Sequence, residues 1–234
     1  MTRAEVERLA QERLASEEAA APRRTAYTLG MGWRRFWRHP SPWLMSAMLV
    51  GALTARLTLG GWRWSELIAP VAFVALFPVI EWVVHVCVLH WRPRRVAGIT
   101  VDSQLARMHR EHHADPRDLP LVFIPWQTLL FVIAGFLAVA LLVFPRTEAG
   151  LTFVAGVAVM GLVYEWTHYL IHSDYRPRSR AYKAIWRNHR LHHYRNENYW
   201  FGVTTSGTSD RLFGTYPDPR SVPTSATAKN LHGG

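Results

Sequence analysis

The sequence predicts an all-α integral membrane protein, with four transmembrane helices beneath a helical cap. Three observations predict it. Four stretches of the 234-residue chain are long, apolar and almost free of charge. The basic residues crowd into every second segment around those stretches. Ten of the 12 histidines fall into four clusters, each at the end of an apolar stretch or in a basic segment outside the stretches. Composition sets the outer limits. A 49% hydrophobic fraction with 19% charged residues excludes a disordered chain. The single cysteine, Cys87, excludes a disulfide framework and a cysteine-built zinc module. A net charge of +10 raises nucleic acid as a partner, but the placement of that charge fits a membrane better.

The elements follow in chain order. Residues 1–40 form a charged N-terminal segment. Its first twenty residues carry Glu5, Glu7, Glu12, Glu17 and Glu18 among arginines and have no apolar core, so they are no secretory signal. They read as an exposed charged helix with i,i+4 pairs such as Arg8–Glu12. Residues 41–216 form the four-span membrane domain. The apolar runs are 43–59, 67–89, 126–144 and 151–171, each near the ~17–25 residues that cross a hydrocarbon layer ~30 Å thick. The first run is the shortest and carries Arg56. Pro120 and Pro125 interrupt the approach to the third, so residues 119–125 read as interfacial and the helix proper starts near Trp126. Residues 217–234, rich in Pro, Ser, Thr and Gly, read as a flexible tail. No solenoid repeat and no Gly-rich phosphate loop is present.

Charge then orients the spans. Of the 27 basic residues, 24 lie in residues 1–42, 90–119 and 173–234, and only Arg56, Arg63 and Arg146 fall on the other side. By the positive-inside rule, both termini and the 90–119 loop are expected to be cytoplasmic.

The histidines carry the chemistry. His85 and His90 form HxxxxH, and His109, His112 and His113 form HxxHH. His168 and His172 form HxxxH, and His189, His192 and His193 a second HxxHH. His39 and His232 stand apart. On an α-helix, positions i, i+3 and i+4 share a face, so each HxxHH is expected to converge. His85 and His90 are offset by roughly 140° and ~7.5 Å in α geometry, which predicts different positions around the site. Ten imidazoles exceed the four ligands of one tetrahedral zinc, and two metal ions would use them naturally. The four clusters map to one membrane face, the cytoplasmic one. A metal transporter would place ligands near the midplane or on both faces, and a surface-histidine reading explains single residues but not four helix-compatible clusters. A non-catalytic membrane scaffold with a structural dimetal site stays open. Glu81 and Glu165 lie inside apolar spans just before His85 and His168. There an ionisable group is usually functional, and both are expected to accept the outer ring N–H of a ligand histidine. The rival reading is a protonated or snorkelling carboxylate.

The cluster order, with the stretches HREHHADPRD, GLVYEWTHYLIH and HHYRNENYWFGVTTSGTSDRLFGT, resembles the fatty acid hydroxylase branch of the sterol desaturase superfamily from about Glu81 to Pro217. Its nearest-looking members are fatty acid 2-hydroxylases of sphingolipids. The resemblance implies a dimetal oxygenase that uses O₂ to hydroxylate an acyl chain of a fatty acid or membrane lipid, with all ten clustered histidines as ligands. Glu165 stands where relatives are expected to have Asp. Carotenoid hydroxylation and sterol or lipid desaturation remain alternatives within the same superfamily. Oxidising an unactivated C–H bond needs a redox metal. Iron is therefore expected, even where zinc, which cannot change oxidation state, occupies a purified sample. The chain has no room for the cytochrome b5 domain fused to some relatives. Electrons are expected from a separate donor, a reductase, ferredoxin or cytochrome. Tyr194, Tyr199, Trp200 and Phe201 are expected to line the lipid substrate's way in, or to anchor the interface.

Overall fold

The computed structural model describes residues 27–233, so the charged helix expected in the first twenty residues lies outside the described residues. Helix α1 (Leu29–Phe36) leads into α2 (Pro40–Leu59), α3 (Ile68–Val84), α4 (Gln104–Ala114), α5 (Trp126–Leu142), α6 (Thr147–His172), α7 (Arg180–Tyr194) and α8 (Thr208–Leu212). Four helical segments are long and apolar enough to cross a membrane: Pro40–Leu59, Trp64–Leu89, Leu119–Leu142 and Thr147–His172. The protein is a multi-pass membrane protein. Its first span begins earlier than the apolar run, because Pro40 and Pro42 fit the first helical turn, where a missing N–H costs nothing. The third opens with a 3₁₀ turn at Leu119–Val122 and becomes regular at Trp126, as the prolines predict.

Helix α6 is the axis of the bundle and packs against α2, α3 and α5. Its 26 residues span about 39 Å at 1.5 Å each. That exceeds a ~30 Å hydrocarbon layer, so one end projects from the bilayer, and His168 and His172 lie in its last two turns. Close approach at the other end requires small residues. A Cβ on Gly150 would lie 2.5 Å from the Ala140 carbonyl oxygen of α5.

The pole away from the histidines holds the few charges of that side. Arg56 is only 1% exposed. It pairs with Glu66 at 2.7 Å, donates to the Gly60 carbonyl and stacks on Trp62 at 3.8 Å. Arg146 reaches the same Glu66 at 3.5 Å. The one charge within the first apolar run is thus neutralised and buried.

Within the all-α plan, two features were not expected. Strands β1 (Arg94–Val96) and β2 (Ile99–Val101) form an antiparallel hairpin in the 90–119 loop. Its two turn residues, Ala97 and Gly98, have φ of 50° and 81°, the conformation that a two-residue hairpin turn requires. The 217–234 segment, expected to be loose, packs on the cap through the buried side chains of Val222, Ala228 and Leu231. Its backbone joins the cap as well, with Ser225 N–H donating to Arg195 O.

Candidate metal centre

Four elements deliver the ten histidines. The second span ends in a π turn, His85–Leu89, in which His90 N–H donates to His85 O at 3.0 Å, an i→i+5 bond. Widening the helix to five residues per hydrogen bond stacks positions i and i+5. The rings of His85 and His90 therefore lie 5.0 Å apart and face one site. The divergence expected from α geometry does not occur. Helix α4 is capped by Ser103, whose Oγ accepts from Ala106 N, and it presents His109, His112 and His113. Ser179 caps α7 in the same way and fixes the helix that carries His189, His192 and His193. The projecting end of α6 supplies His168 and His172.

The rings sort into two groups of five, each with its ligand atoms within 4.8 Å of one another. One group is His85, His90, His109, His113 and His192; the other is His112, His168, His172, His189 and His193. Each HxxHH was expected to converge and instead straddles both groups. On α4, His109 and His113 (i, i+4) serve the first while His112 serves the second. On α7, His189 and His193 (i, i+4) serve the second while His192 serves the first. Adjacent helical positions point about 100° apart, so a helix seated between two sites feeds both. His113 and His193 meet across the boundary at 4.2 Å between ring centres.

The residues fit metal ions. Nε2 atoms approach in pairs: His85 and His109 at 3.2 Å, His192 with both His90 and His113 at 3.2 Å, and His189 with both His168 and His193 at 3.0 Å. Metal–nitrogen bonds of ~2.1 Å place neighbouring nitrogens about 3.0–3.4 Å apart for angles from square to tetrahedral. His112 Nδ1 and Nε2 and His172 Nε2 are buried with no hydrogen-bond partner among the described residues, and a cation that took one lone pair from each ring would relieve part of that cost. Burial holds the His113 imidazole down at about 4. Burial and then neighbouring rings push His90, His109, His112, His189, His192 and His193 well below the ordinary imidazole value. At neutral pH these rings are uncharged and keep the lone pair that a metal requires.

Backbone carbonyls set the tautomers. His85 Nδ1 donates to Phe201 O at 2.7 Å, His113 Nδ1 to Ala228 O at 2.9 Å and His192 Nδ1 to Tyr199 O at 2.8 Å. A carbonyl only accepts, so each Nδ1 carries the proton and Nε2 is left to face the site. Glu81 and Glu165 were expected in this role, and neither bonds a histidine. Glu81 lies on the same span one turn before His85, but it accepts from Val203 N at 2.7 Å, from Thr204 N at 3.0 Å and from Thr204 Oγ1 at 2.7 Å. It acts one step further out, anchoring the loop whose Phe201 carbonyl holds His85. Glu165 accepts from Ser41 Oγ at 2.8 Å and Ile124 N at 3.0 Å, tying the first and third spans to the fourth.

Sequence reasoning missed Asp210 and Glu197. Asp210 accepts from Phe201 N at 2.8 Å and Gly202 N at 3.0 Å. Glu197 accepts from the Ser225 and Thr227 hydroxyls and so holds the segment that presents Ala228. Asp210 had a faint signal, an acid in the resembling SDRLFGT stretch, whereas a carbonyl partner leaves none. Of the four expected substrate-lining aromatics, Phe201 lies against the rings of His85, His90 and His192 at 5.1–5.4 Å. Trp200 is fully buried with φ of 56°, and Tyr199 supplies its carbonyl. Tyr194 lies on the outer face of α7. His39 stacks on Phe123 at 3.9 Å, and His232 donates to His90 O at 3.0 Å; neither joins a group.

Residues 70–215 match the family model for fatty acid hydroxylase. The chain belongs to the fatty acid hydroxylase family. Membership makes it an oxidoreductase acting on fatty acids or lipids, and together with the two histidine groups it points to metal binding. Among relatives, the chain is 28% identical over 184 residues to a dihydroceramide fatty acyl 2-hydroxylase of Arabidopsis thaliana, covering 78% of this chain and 73% of that protein. To the fatty acid 2-hydroxylase of Mus musculus it is 27% identical over 152 residues, 61% of this chain and 40% of the mouse protein. A solved structure titled full-length scs7p, with only the hydroxylase domain visible, has a similar fold: TM-score 0.63, 22% identity, 79% of this chain and 68% of that one.

Proposed function

We propose that this hydroxylase holds two metal ions, iron in the working enzyme, and uses O₂ and electrons from a separate donor to hydroxylate carbon 2 of a membrane lipid's acyl chain. The observation that carries the reading is the partition of ten histidines, nine of them buried and His90 half-buried, into two groups of five within a chain of this family. The relatives' names, fatty acyl and fatty acid 2-hydroxylase, support the acyl chain and the position. When bound, the metal pair supplies O₂ reduction and C–H oxidation, which no side chain can perform.

The chain's own residues do the rest. His85, His90, His109, His113 and His192 would hold one ion, and His112, His168, His172, His189 and His193 the other. Tyr199, Phe201 and Ala228 fix three rings through their carbonyls. Phe201 presents an apolar face beside the first group and excludes water on the side where an acyl chain would lie. The ligand shell is all imidazole and uncharged, which suits an apolar substrate in a low-dielectric setting. The 24-to-3 division of basic residues supports a cytoplasmic active site and cytoplasmic termini.

The test is to supply oxygen-18 gas to cells that express the chain and to examine extracted lipids by mass spectrometry. The expected result is label at carbon 2 of acyl chains, lost in His113→Ala. Unlabelled lipids with new, histidine-dependent double bonds would establish a desaturase instead. Neither product, with metal retained and several reductants supplied, would leave a scaffold.

A further inference from the structure

Helix α7 has two working faces. His189, His192 and His193 point inward. Lys183, Arg187, Arg190 and Tyr194 recur at i, i+4, i+7 and i+11, which is one stripe of the opposite face. The segment from 175 to 196 holds Arg176, Arg178, Arg180, Lys183, Arg187, Arg190 and Arg195 and no acidic residue. Three cations elsewhere on the cap are paired: Arg107 and Arg110 with Asp102, and Arg117 with Asp174. Among the described residues, no ion pair involves a cation of α7. Arg190 lies over the rings of both Trp186 and Tyr194, at 4.5 and 4.8 Å. Together with Arg187, Leu191 and Arg195, these residues line a surface depression of about 270 Å³. The Tyr194 ring is 6.5 Å from that of His193.

Resting on the hydroxylase reading above, we propose that the outer face of α7 is the docking site of an acidic one-electron carrier protein that delivers electrons through Tyr194 and His193 to the second histidine group. Two properties fit an electron donor. The cationic stripe complements an acidic partner and would steer its approach, while the Trp, Tyr and Arg rim is the composition of a protein-binding surface. The same helix carries three of the ligands, so a partner seated there is separated from the centre by one helix's width. The balance is simple. Converting C–H to C–OH with one O₂ takes up two electrons and two protons and releases one water. A reduced iron–sulfur or haem carrier supplies those electrons in two visits and leaves oxidised each time.

The test uses full-length, metal-loaded protein in zwitterionic phosphatidylcholine nanodiscs and an acidic soluble [2Fe–2S] ferredoxin as the probe, with the affinity measured directly. Arg187→Glu with Arg190→Glu is expected to weaken binding roughly tenfold or more and to flatten its salt dependence. The paired Gln variants should fall between, and elemental analysis should show unchanged metal content in all. Arg94→Glu with Arg95→Glu on the hairpin should leave affinity within about twofold, as for charges outside a contact. No binding by the wild type, no loss in the α7 variants, or an equal loss in the hairpin pair would overturn the proposal. So would a loss seen only in discs that contain phosphatidylserine, which would make the face a lipid headgroup contact. Binding is read without a lipid substrate, so failed docking and failed hydroxylation are separate results.

Discussion

His112 and His113 are neighbours in the chain yet belong to different histidine groups, and the same holds for His192 and His193. That partition shows what a residue pattern conveys and what it conceals. The ten candidate ligands were legible from spacing alone, because clusters at helical intervals have few other uses. Their assignment was not, since it depends on where each helix axis sits relative to two centres. The carboxylates show a second limit. Glu81 and Glu165 are the acids nearest the ligands in sequence, yet backbone groups claim them. This gives a contrast between variants. Glu81→Ala frees the loop that presents the Phe201 carbonyl, so metal affinity should fall by about 10–100-fold, the size typical of groups that orient a ligand. Glu165→Ala unties three spans, so its first effect should be a lower thermal unfolding midpoint in detergent at unchanged metal stoichiometry. Elemental analysis and a melting curve separate the two. A Glu165 variant that lost metal at full thermal stability would contradict this assignment.

At the scale of elements, the four spans were legible because burial in lipid writes itself directly into composition. The second span's π turn was not: an HxxxxH spacing is neutral between α and π geometry, and only the shared site selects the wider turn. The contacts of the C-terminal segment were hidden for a similar reason. Its Pro, Ser, Thr and Gly content reads as loose, but its hydroxyls are spent on Glu197 and its Ala228 carbonyl on His113. Deleting residues 217–234 should therefore do more than trim an end. Without the carbonyl of Ala228, His113 loses what fixes its tautomer, and the first group should hold its ion less tightly than the second. Titration with a chelator is expected to strip about one of the two ions from the truncated protein at concentrations that leave the full chain loaded, in line with the 10–100-fold effect of such partners. Equal retention by both proteins would make the tail's contact incidental. Packing between spans gives a second check. Gly150→Ala would drive a methyl group against the Ala140 carbonyl and should cost about 1–3 kcal/mol of stability.

For the whole molecule, chemistry is gathered at one pole. The helix ends beside the histidines gather the basic segments of the cap, while the far pole closes around the buried Arg56–Glu66 pair. Burying so many uncharged imidazoles in one place has a consequence for pH. In the unfolded chain each His titrates near 6.5, whereas burial holds folded His113 near 4. The unfolded state then binds more protons below 6.5, and stability falls with pH. Metal-free protein should lose stability as pH drops from about 6.5 towards 4 and stay level above it, which thermal melts across that range would show. Orientation is the last consequence. If the basic pole faces the cytoplasm, a single-cysteine probe at residue 105 or 225 should be reached only after the membrane is breached. Probes at residues 62 and 148, beside the opposite pole, should react from outside. Cys87 would be replaced first, being the chain's only other thiol. Labelling of 105 and 148 from the same side would break the four-span arrangement. Labelling of 105 alone from outside would invert it and place the histidine pole, and the proposed carrier-docking face of α7, on the opposite side of the membrane.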